Sequence, residues 1–113
     1  MKLITDKITK QALKELSDRS FGTLIKAVVD IEKCIMVVDA AMHADEEAFL
    51  LSGGSKQDDL WGINIYPDES KENMIEFDSM INVRPRLNNM TRSIENEDIR
   101  KRIITIVHSL IIP

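Results

Sequence analysis

Hydrophobic positions in the first half of the chain follow the spacing of strands. Residues 24–31 and 34–41 are rich in β-branched side chains, and only Glu32 and Lys33 separate them, which predicts a β-hairpin. A continuous helix over residues 24–41 is the competing interpretation. In the hairpin register Lys26 faces Asp39. Because side chains alternate along a strand, one face of the hairpin is wholly apolar and is predicted to be core. It carries Ile25, Ala27, Val29, Ile31, Cys34, Met36, Val38 and Ala40.

Two later segments, residues 60–66 and 74–83, also alternate between apolar and polar positions and are predicted to be strands. Pro85 ends the second of them, because proline cannot donate a hydrogen bond to a neighbouring strand. The predicted core positions of these strands are Trp61, Ile63, Ile65, Ile75, Phe77, Ile81 and Val83. We expect Trp61, Ile63, Phe77 and Ile81 to pack together against the last helix.

Three helices are predicted, with Thr9, Asp45 and Asn96 as their N-caps. The buried face of the second helix is predicted to carry Ala44, Ala48 and Leu51, and that of the third to carry Ile99, Ile103, Ile106, Val107 and Leu110. The element order is α-β-β-α-β-β-α. Short connections favour antiparallel pairing, so we predict an α+β fold with a four-stranded, mainly antiparallel sheet and helices packed on it.

The composition is that of one ordinary folded domain spanning residues 1–113. No stretch approaches the roughly 20 apolar residues of a transmembrane helix. A single cysteine, Cys34, cannot form an internal disulfide, and the N-terminus lacks the apolar run of a signal peptide, so a cytoplasmic location is predicted. The net charge of −4 makes nucleic acid an unfavourable partner, since duplex binding usually depends on a basic excess.

Charge is distributed unevenly along the chain. Residues 45–83 carry ten acidic and two basic side chains, whereas residues 84–113 carry six basic and three acidic ones. The arginines of the last third are predicted to pair with the acidic middle of the same fold. The alternative is that they form a site for an anion or a phosphate group.

The polar face of the predicted sheet is the candidate site. Its weak catalytic candidates are Lys26, Asp39, His43 and Asp78. Its ligand-binding candidates are Asn64, Tyr66, Asn82, Arg84 and Arg86, with Glu76 on the same face. Lysine, arginine, asparagine and tyrosine together suit a small anionic or polar ligand. The alternative is a plain solvated face, which open antiparallel sheets normally have.

Arg84 separates these two interpretations. In the first, Arg84 points into a polar pocket shared with Asn64 and either Lys26 or Asp39. In the second, Arg84 is held in an internal ion pair with Asp78 or Glu76 and only closes the end of the sheet. Arginine suits both roles, because its planar fork of donors matches a carboxylate or a phosphate.

Other site classes are weaker. His43, Asp45 and Glu47 with Asp39 offer too few histidines and no cysteine pair for zinc, so neither a metal nor a cofactor is predicted. The nucleophile elbow and the Walker phosphate loop are absent. Ser79 shares parity with core residues and is predicted to be a packed hydroxyl group.

A partner surface is also predicted on the polar face of the hairpin. There an apolar patch interrupts the charged groups and would suit a homodimer. The patch consists of Val28, Ile35, Val37 and Ala41. The predicted function is therefore a ligand-binding or protein-interaction module. The alternative is a small enzyme that acts on a phosphate-containing or RNA substrate through lysine, histidine, carboxylate and arginine groups.

Two strings carry a resemblance to a known family: Leu60-Trp61-Gly62-Ile63-Asn64 and Ser79-Met80-Ile81-Asn82-Val83-Arg84-Pro85. With them the chain resembles an uncharacterised family of small prokaryotic single-domain proteins, catalogued as a domain of unknown function. The resemblance extends from about residue 8 to residue 111. It implies a single domain and supplies no catalytic role.

Overall fold

The chain forms three α-helices and seven strands in the computed structural model, which describes residues 1–113. The helices are α1 (Lys10–Asp18), α2 (His43–Ser52) and α3 (Glu97–Leu110). The strands are β1 (Lys2–Ile4), β2 (Ile8–Thr9), β3 (Ile25–Asp30), β4 (Ile35–Val38), β5 (Leu60–Ile65), β6 (Ile75–Glu76) and β7 (Ile111–Ile112).

The central sheet has the strand order β1-β4-β3-β5-β6, and every neighbouring pair in it is antiparallel. The two remaining strands, β2 and β7, form a small parallel pair. The predicted α+β class is therefore confirmed, but the sheet has five strands and not four.

The first hairpin forms in the predicted register. Asp30 is opposite Ile35, and the N–H of Asp39 donates to the carbonyl of Lys26 at 3.2 Å. This pairing excludes a continuous helix over residues 24–41. It also brings the polar ends of the two strands, at Lys26 and Asp39, side by side.

The turn between β3 and β4 runs from Ile31 to Cys34 and is held by the Asp30 side chain. Asp30 Oδ1 accepts hydrogen bonds from the backbone N–H groups of Glu32 and Lys33, both at 2.9 Å. Cys34 has a left-handed backbone with a φ of 58° and is exposed. The prediction that Cys34 lies in the core is wrong, because this residue closes the turn and does not belong to the strand.

Both ends of the chain add strands that the sequence pattern does not reveal. Lys2 pairs opposite Val38 as β1 extends the sheet beyond β4, and Ile8 pairs opposite Ile111 in the small parallel sheet. These strands are two or three residues long, too short for an alternating pattern to be visible. The β2–β7 pair ties the beginning of α1 to the end of α3.

The larger hydrophobic core lies between the sheet and helices α1 and α3. Trp61 and Ile63 are buried there in one cluster with Ile103 and Leu110, and half-buried Phe77 packs against it. The predicted core faces of β3, β4 and β5 and the predicted stripe of α3 are confirmed by this cluster.

Helix α2 covers the other face of the sheet, where the sequence predicts open polar strands. Val28 and Val37 are fully buried there, packed with Leu60 and with Leu50 of α2. The prediction that these valines belong to a surface patch is therefore wrong.

The buried side of α2 differs from the predicted one. The helix begins at His43, with Met42 at the N-cap position, and not after Asp45. Its buried residues are His43, Glu46 and Leu50, whereas the predicted core positions are exposed: Ala44, Ala48 and Leu51. Hydrophobic spacing fails here because two of the three buried side chains are polar and hydrogen-bond to backbone groups.

Residues 74–83 do not form the long strand that their alternation predicts. Only Ile75 and Glu76 pair with β5, and residues 80–82 form a 3₁₀ turn. Ile81 consequently packs beneath α2, against the cluster of Val28, Val37, Leu50 and Leu60. Val83 is exposed. The prediction that both residues join the main core is wrong, because the chain turns away from the sheet after β6.

The side chain of Asn82 takes the place of a neighbouring strand beside Gly62. Its Oδ1 accepts from the Gly62 N–H at 2.8 Å, and its Nδ2 donates to the Gly62 carbonyl at 2.9 Å. A Cβ atom at Gly62 would lie only 2.5 Å from the Cβ of Ser79. Glycine is therefore required where this segment crosses the strand, and Ser79 is buried as predicted.

Candidate functional site

Four polar side chains lie in a row across the second face of the sheet. Lys26 on β3 is opposite Asn64 on β5, and Asn64 is opposite Glu76 on β6. Asp39 follows β4 and is hydrogen-bonded through its N–H to the Lys26 carbonyl. His43 and Glu46 from the first turns of α2 add to this row. We call the six residues the polar cluster: Lys26, Asp39, His43, Glu46, Asn64 and Glu76.

Glu46 is the most deeply buried member of the cluster, with an exposed fraction of 0%. Its Oε2 accepts from the N–H of Ala40 at 3.0 Å, while its Oε1 is buried without a hydrogen-bond partner. Burial raises the pKa of Glu46 from its ordinary value of 4.5 to about 9, against the opposing effects of the Ala40 bond and the Lys26 charge. The carboxyl group is therefore protonated at neutral pH.

His43 is buried beside it and is held by one backbone group. Its Nε2 lies 2.7 Å from the carbonyl oxygen of Ile63. A carbonyl can only accept, so Nε2 carries the proton and Nδ1 keeps a free lone pair. Burial lowers the pKa of His43, and the charge of Lys26 acts in the same direction, while the Ile63 bond opposes them. The ring is neutral at pH 7.

Asn64 is 7% exposed and uses only one end of its amide. Its Nδ2 donates to Glu76 Oε1 at 2.9 Å and to the carbonyl of Asp78 at 3.4 Å. These two acceptors fix the orientation of the amide, and its Oδ1 is buried without a partner. Tyr66 donates its hydroxyl to the same Glu76 oxygen at 3.1 Å. Burial and this bond raise the pKa of Tyr66.

Lys26 is the half-buried cation of the cluster, and no ion pair of the structure includes it. Its ammonium nitrogen lies 5.4 Å from the centre of the exposed Phe21 ring. Asp39 is likewise outside every ion pair and has a left-handed backbone, with a φ of 71°. A positive φ is uncommon outside glycine and is most often accepted by aspartate and asparagine.

The arginines predicted as ligand-binding residues are instead engaged in internal ion pairs. Arg84 is 6% exposed, and its Nη2 lies 3.0 Å from Glu47 Oε2 of α2. Burial lowers the pKa of Arg84, and the charge of Glu47 opposes this effect. Arg84 also lies 5.0 Å from the centre of the Trp61 ring, and its Nη1 has no hydrogen-bond partner. An internal ion pair is one of the two roles that the sequence predicts for Arg84. The structure has such a pair, but its partner is Glu47 and not Asp78 or Glu76.

Two more arginines follow the same pattern. Arg86 pairs with Asp58, and Arg92 Nε lies 2.7 Å from Asp78 Oδ1. Together with the Arg84 pair, these contacts confirm that arginines of the last third neutralise carboxylates of the acidic middle. The side chain of Asn82 is also occupied, because its amide is bonded to Gly62 and to the carbonyl of Arg92.

The structure therefore separates the predicted site residues into two groups. Lys26, Asp39, His43 and Asn64 come together, with Tyr66 and Asp78 at the border through Glu76 and Asn64. The second group is tied into the fold itself: Asn82, Arg84 and Arg86.

Glu46 is the cluster member that sequence reasoning misses. It lies three residues after His43 and four before Leu50, a spacing that places all three on one helix face. Reading this face as buried would identify Glu46, but the stronger alanine and leucine pattern points to the opposite side.

Chemically, the cluster offers donors and an acceptor without partners. No group of three or more histidine, cysteine, aspartate or glutamate side chains is arranged to hold a metal ion.

None of the helices combines the length and apolar composition that are needed to cross a bilayer.

Comparison with known proteins gives one match. No curated protein and no solved structure matches the chain. The family described as "Protein of unknown function (DUF5674)" matches residues 2–110, which confirms the resemblance to an uncharacterised single-domain family. Since the match spans nearly the whole chain, this protein belongs to the DUF5674 family of proteins of unknown function.

Proposed function

We propose that this domain binds a small polar molecule at the polar cluster. The observation that carries the proposal is that two buried oxygens, Glu46 Oε1 and Asn64 Oδ1, lack hydrogen-bond partners. Asn64 is the cross-strand neighbour of Lys26, and the Lys26 charge acts on Glu46. A buried polar atom without a partner costs about 1–3 kcal/mol of stability. Because both atoms are buried, we infer that a local displacement of the first turns of α2 admits the ligand, which then supplies the missing partners and recovers that cost.

The chemistry of the cluster defines the class of ligand. The Lys26 ammonium and the protonated Glu46 carboxyl are donors, so they suit an anionic or carbonyl oxygen. The Asn64 oxygen is an acceptor and suits an N–H or O–H group. A molecule with both features, such as a hydroxy acid, an amino acid or a nucleotide, matches this set.

A thermal-shift screen tests this proposal. The panel contains hydroxy acids, amino acids, nucleotides, phosphate and sulfate, of which sulfate has no hydrogen to donate to Asn64. A ligand present at 100 times its dissociation constant stabilises the fold by about 2.7 kcal/mol, which corresponds to a rise of several degrees in the melting temperature. We expect Lys26→Met to lose the response to the best compound.

Lys56→Met is the matched control, because Lys56 is exposed and outside the polar cluster. It should keep the full response of the wild-type protein. The proposal fails if no compound raises the melting temperature, or if both lysine variants lose the response equally.

Self-association is a second candidate function, supported by three exposed apolar side chains, two of which border the polar cluster. Phe21, Met42 and Met80 are 48%, 60% and 65% exposed. Phe21 lies over Lys26, Met42 precedes His43, and methionine is typical of adaptable binding surfaces. We expect a homodimer in light scattering that Met42→Ser with Met80→Ser disrupts. A monomer at high micromolar concentration would contradict it.

No specific observation favours the alternative of a small enzyme acting on a phosphate-containing or RNA substrate. Such an enzyme would need Arg84, Arg86 and Arg92 free and contiguous, whereas each is paired with a carboxylate.

We also infer a cytoplasmic location. The single exposed Cys34 supports it, since a reducing compartment keeps a lone thiol unoxidised.

A further inference from the structure

A separate cavity of about 280 Å³ lies where the beginning of α1, the end of α3 and the loop before β6 meet. Its seven lining residues combine basic and apolar side chains with the last residue of the chain: Lys10, Lys71, His108, Met74, Ile111, Ile112 and Pro113. None of these residues belongs to the polar cluster. The cavity is therefore independent of the function proposed above.

The basic side chains of the cavity are not neutralised by carboxylates. Lys10 donates only to the backbone carbonyl of Glu69, at 3.3 Å, and His108 Nε2 lies 3.1 Å from the carbonyl of Lys71. Neither lysine takes part in an ion pair. In an adjoining depression, the carboxylate of Asp68 is already paired with Lys14 at 3.2 Å.

The first turn of α1 strengthens the positive potential at this place. Lys10 is the first residue of the helix, and no acidic side chain occupies the first turn. The N-terminal end of a helix carries a partial positive charge. The lysines and the helix end therefore act together on any anion in the cavity.

The floor of the cavity is apolar and well anchored. Met74 is buried, and Ile111 is fixed by its pairing with Ile8 in the β2–β7 sheet. A bare inorganic anion would leave this floor in contact with water. An organic anion with a short apolar group would cover it and gain about 25 cal/mol for each Å² of apolar surface buried.

We propose that this cavity binds a small organic carboxylate, with its carboxylate group between Lys10 and Lys71 and its apolar group on Met74 and Ile111. The volume lies just below the range of about 300–1,000 Å³ for drug-sized ligands, so the ligand is small. His108 also lines the cavity, but its Nε2 hydrogen is directed to the Lys71 carbonyl.

The test is a titration of the full chain with hexanoate, followed by NMR of backbone amides and methionine methyl groups. Hexanol serves as the uncharged probe and sulfate as the anion without an apolar group. We expect saturable shifts at Lys10, Lys71, Met74 and Ile111 with hexanoate, and weaker binding of both other probes. Loss of a charged hydrogen bond in Lys71→Met should weaken hexanoate binding about tenfold or more.

Lys101→Met is the matched control, since it removes the same charge from an exposed position of α3 outside the cavity. It should bind hexanoate as the wild-type protein does. The proposal is overturned if hexanoate causes no saturable shift at the cavity, if hexanol binds equally well, or if Lys101→Met weakens binding as much as Lys71→Met. Lys26→Met should leave hexanoate binding unchanged, which separates this site from the polar cluster.

Discussion

At the scale of single residues, buried acidic groups of this protein fall into two kinds. Asp30 is 1% exposed, yet both its oxygens are used: Oδ1 accepts two backbone N–H groups and Oδ2 accepts the Ser55 hydroxyl at 2.6 Å. Glu46 is equally buried and has one oxygen without a partner. The fold can thus satisfy a buried carboxylate. The incomplete bonding of Glu46 is a local feature of the polar cluster.

Glu46 makes stability depend on pH in a definite direction. Its pKa is about 9 in the folded protein and near 4.5 in the unfolded chain, so the folded protein holds an extra proton between these values. The contribution of protonated Glu46 to the free energy of unfolding is complete below about pH 4.5. It is lost as the pH rises toward 9, by at most about 1.4 kcal/mol per pH unit. Glu46→Gln should remove this fall and be more stable than wild type at pH 9.

Urea denaturation at pH 5, 7 and 9 measures the free energy of unfolding of the wild-type protein and of Glu46→Gln. The neighbouring charged and polar groups, including Lys26, Asp39 and His43, are shared by both proteins, so the difference between wild type and Glu46→Gln reports on Glu46. Glu72→Gln, at an exposed position, should leave the pH profile unchanged. Parallel profiles for Glu46→Gln and wild type would show that Glu46 is ionised in the folded protein.

Arg84 gives a second prediction at this scale. Arg84→Met strands the Glu47 carboxylate, and it removes the guanidinium group packed near Trp61. Breaking a buried ion pair from one side costs about 3–5 kcal/mol. Arg86→Met breaks a pair whose side chains are 56% and 52% exposed, so it should change the stability far less than Arg84→Met does. Equal losses in chemical denaturation would contradict the structural role of Arg84.

At the scale of elements, the predictable parts of the fold are those in which apolar side chains decide the structure. The hairpin of β3 and β4 formed in its predicted register because a one-residue slip would turn its apolar face away from the larger core. Helix α2 and residues 74–83 could not be predicted in this way. Polar contacts place them, namely the His43 and Glu46 bonds to backbone and the Asn82 amide beside Gly62.

Prediction of the polar cluster from the sequence has the same limit, since apolar patterns do not reveal polar contacts. Alternation correctly placed Lys26 opposite Asp39 and on the same face as Asn64 and Glu76, so with His43 five of the six cluster residues are candidates from the sequence. Glu46 could not be found, because its burial depends on which face α2 turns toward the sheet. The partner of Arg84 could not be found either, since Glu47 lies on that same helix.

The crossing of β5 by residues 79–82 is an element-scale feature that can be tested. Gly62→Ala places a methyl group against the buried Ser79 and should destabilise the fold by about 1–3 kcal/mol. Ser79→Gly in the same chain should recover part of this loss. Gly53→Ala is the control, because a Cβ there would meet its nearest atom at 3.5 Å. Additive losses in the double variant would contradict the contact.

At the scale of the whole molecule, folding brings part of the acidic middle of the chain against the basic last third. The acidic middle and the basic last third meet in the pairs Arg84–Glu47, Arg86–Asp58 and Arg92–Asp78. Two groups of basic side chains outside these pairs are Lys26 of the polar cluster and Lys10 with Lys71 of the basic cavity beside α1. The proposed ligand-binding activities are therefore assigned to these two places and not to the arginine-rich segment.

An NMR titration with the compound that gives the largest thermal shift tests the central claim most directly. The account predicts saturable shifts of the Asn64 side-chain amide, the Lys26 ammonium group and the methyl group of Met42, all lost in Lys26→Met. Saturable shifts confined to other parts of the molecule, or an unchanged affinity in Lys26→Met, would contradict it.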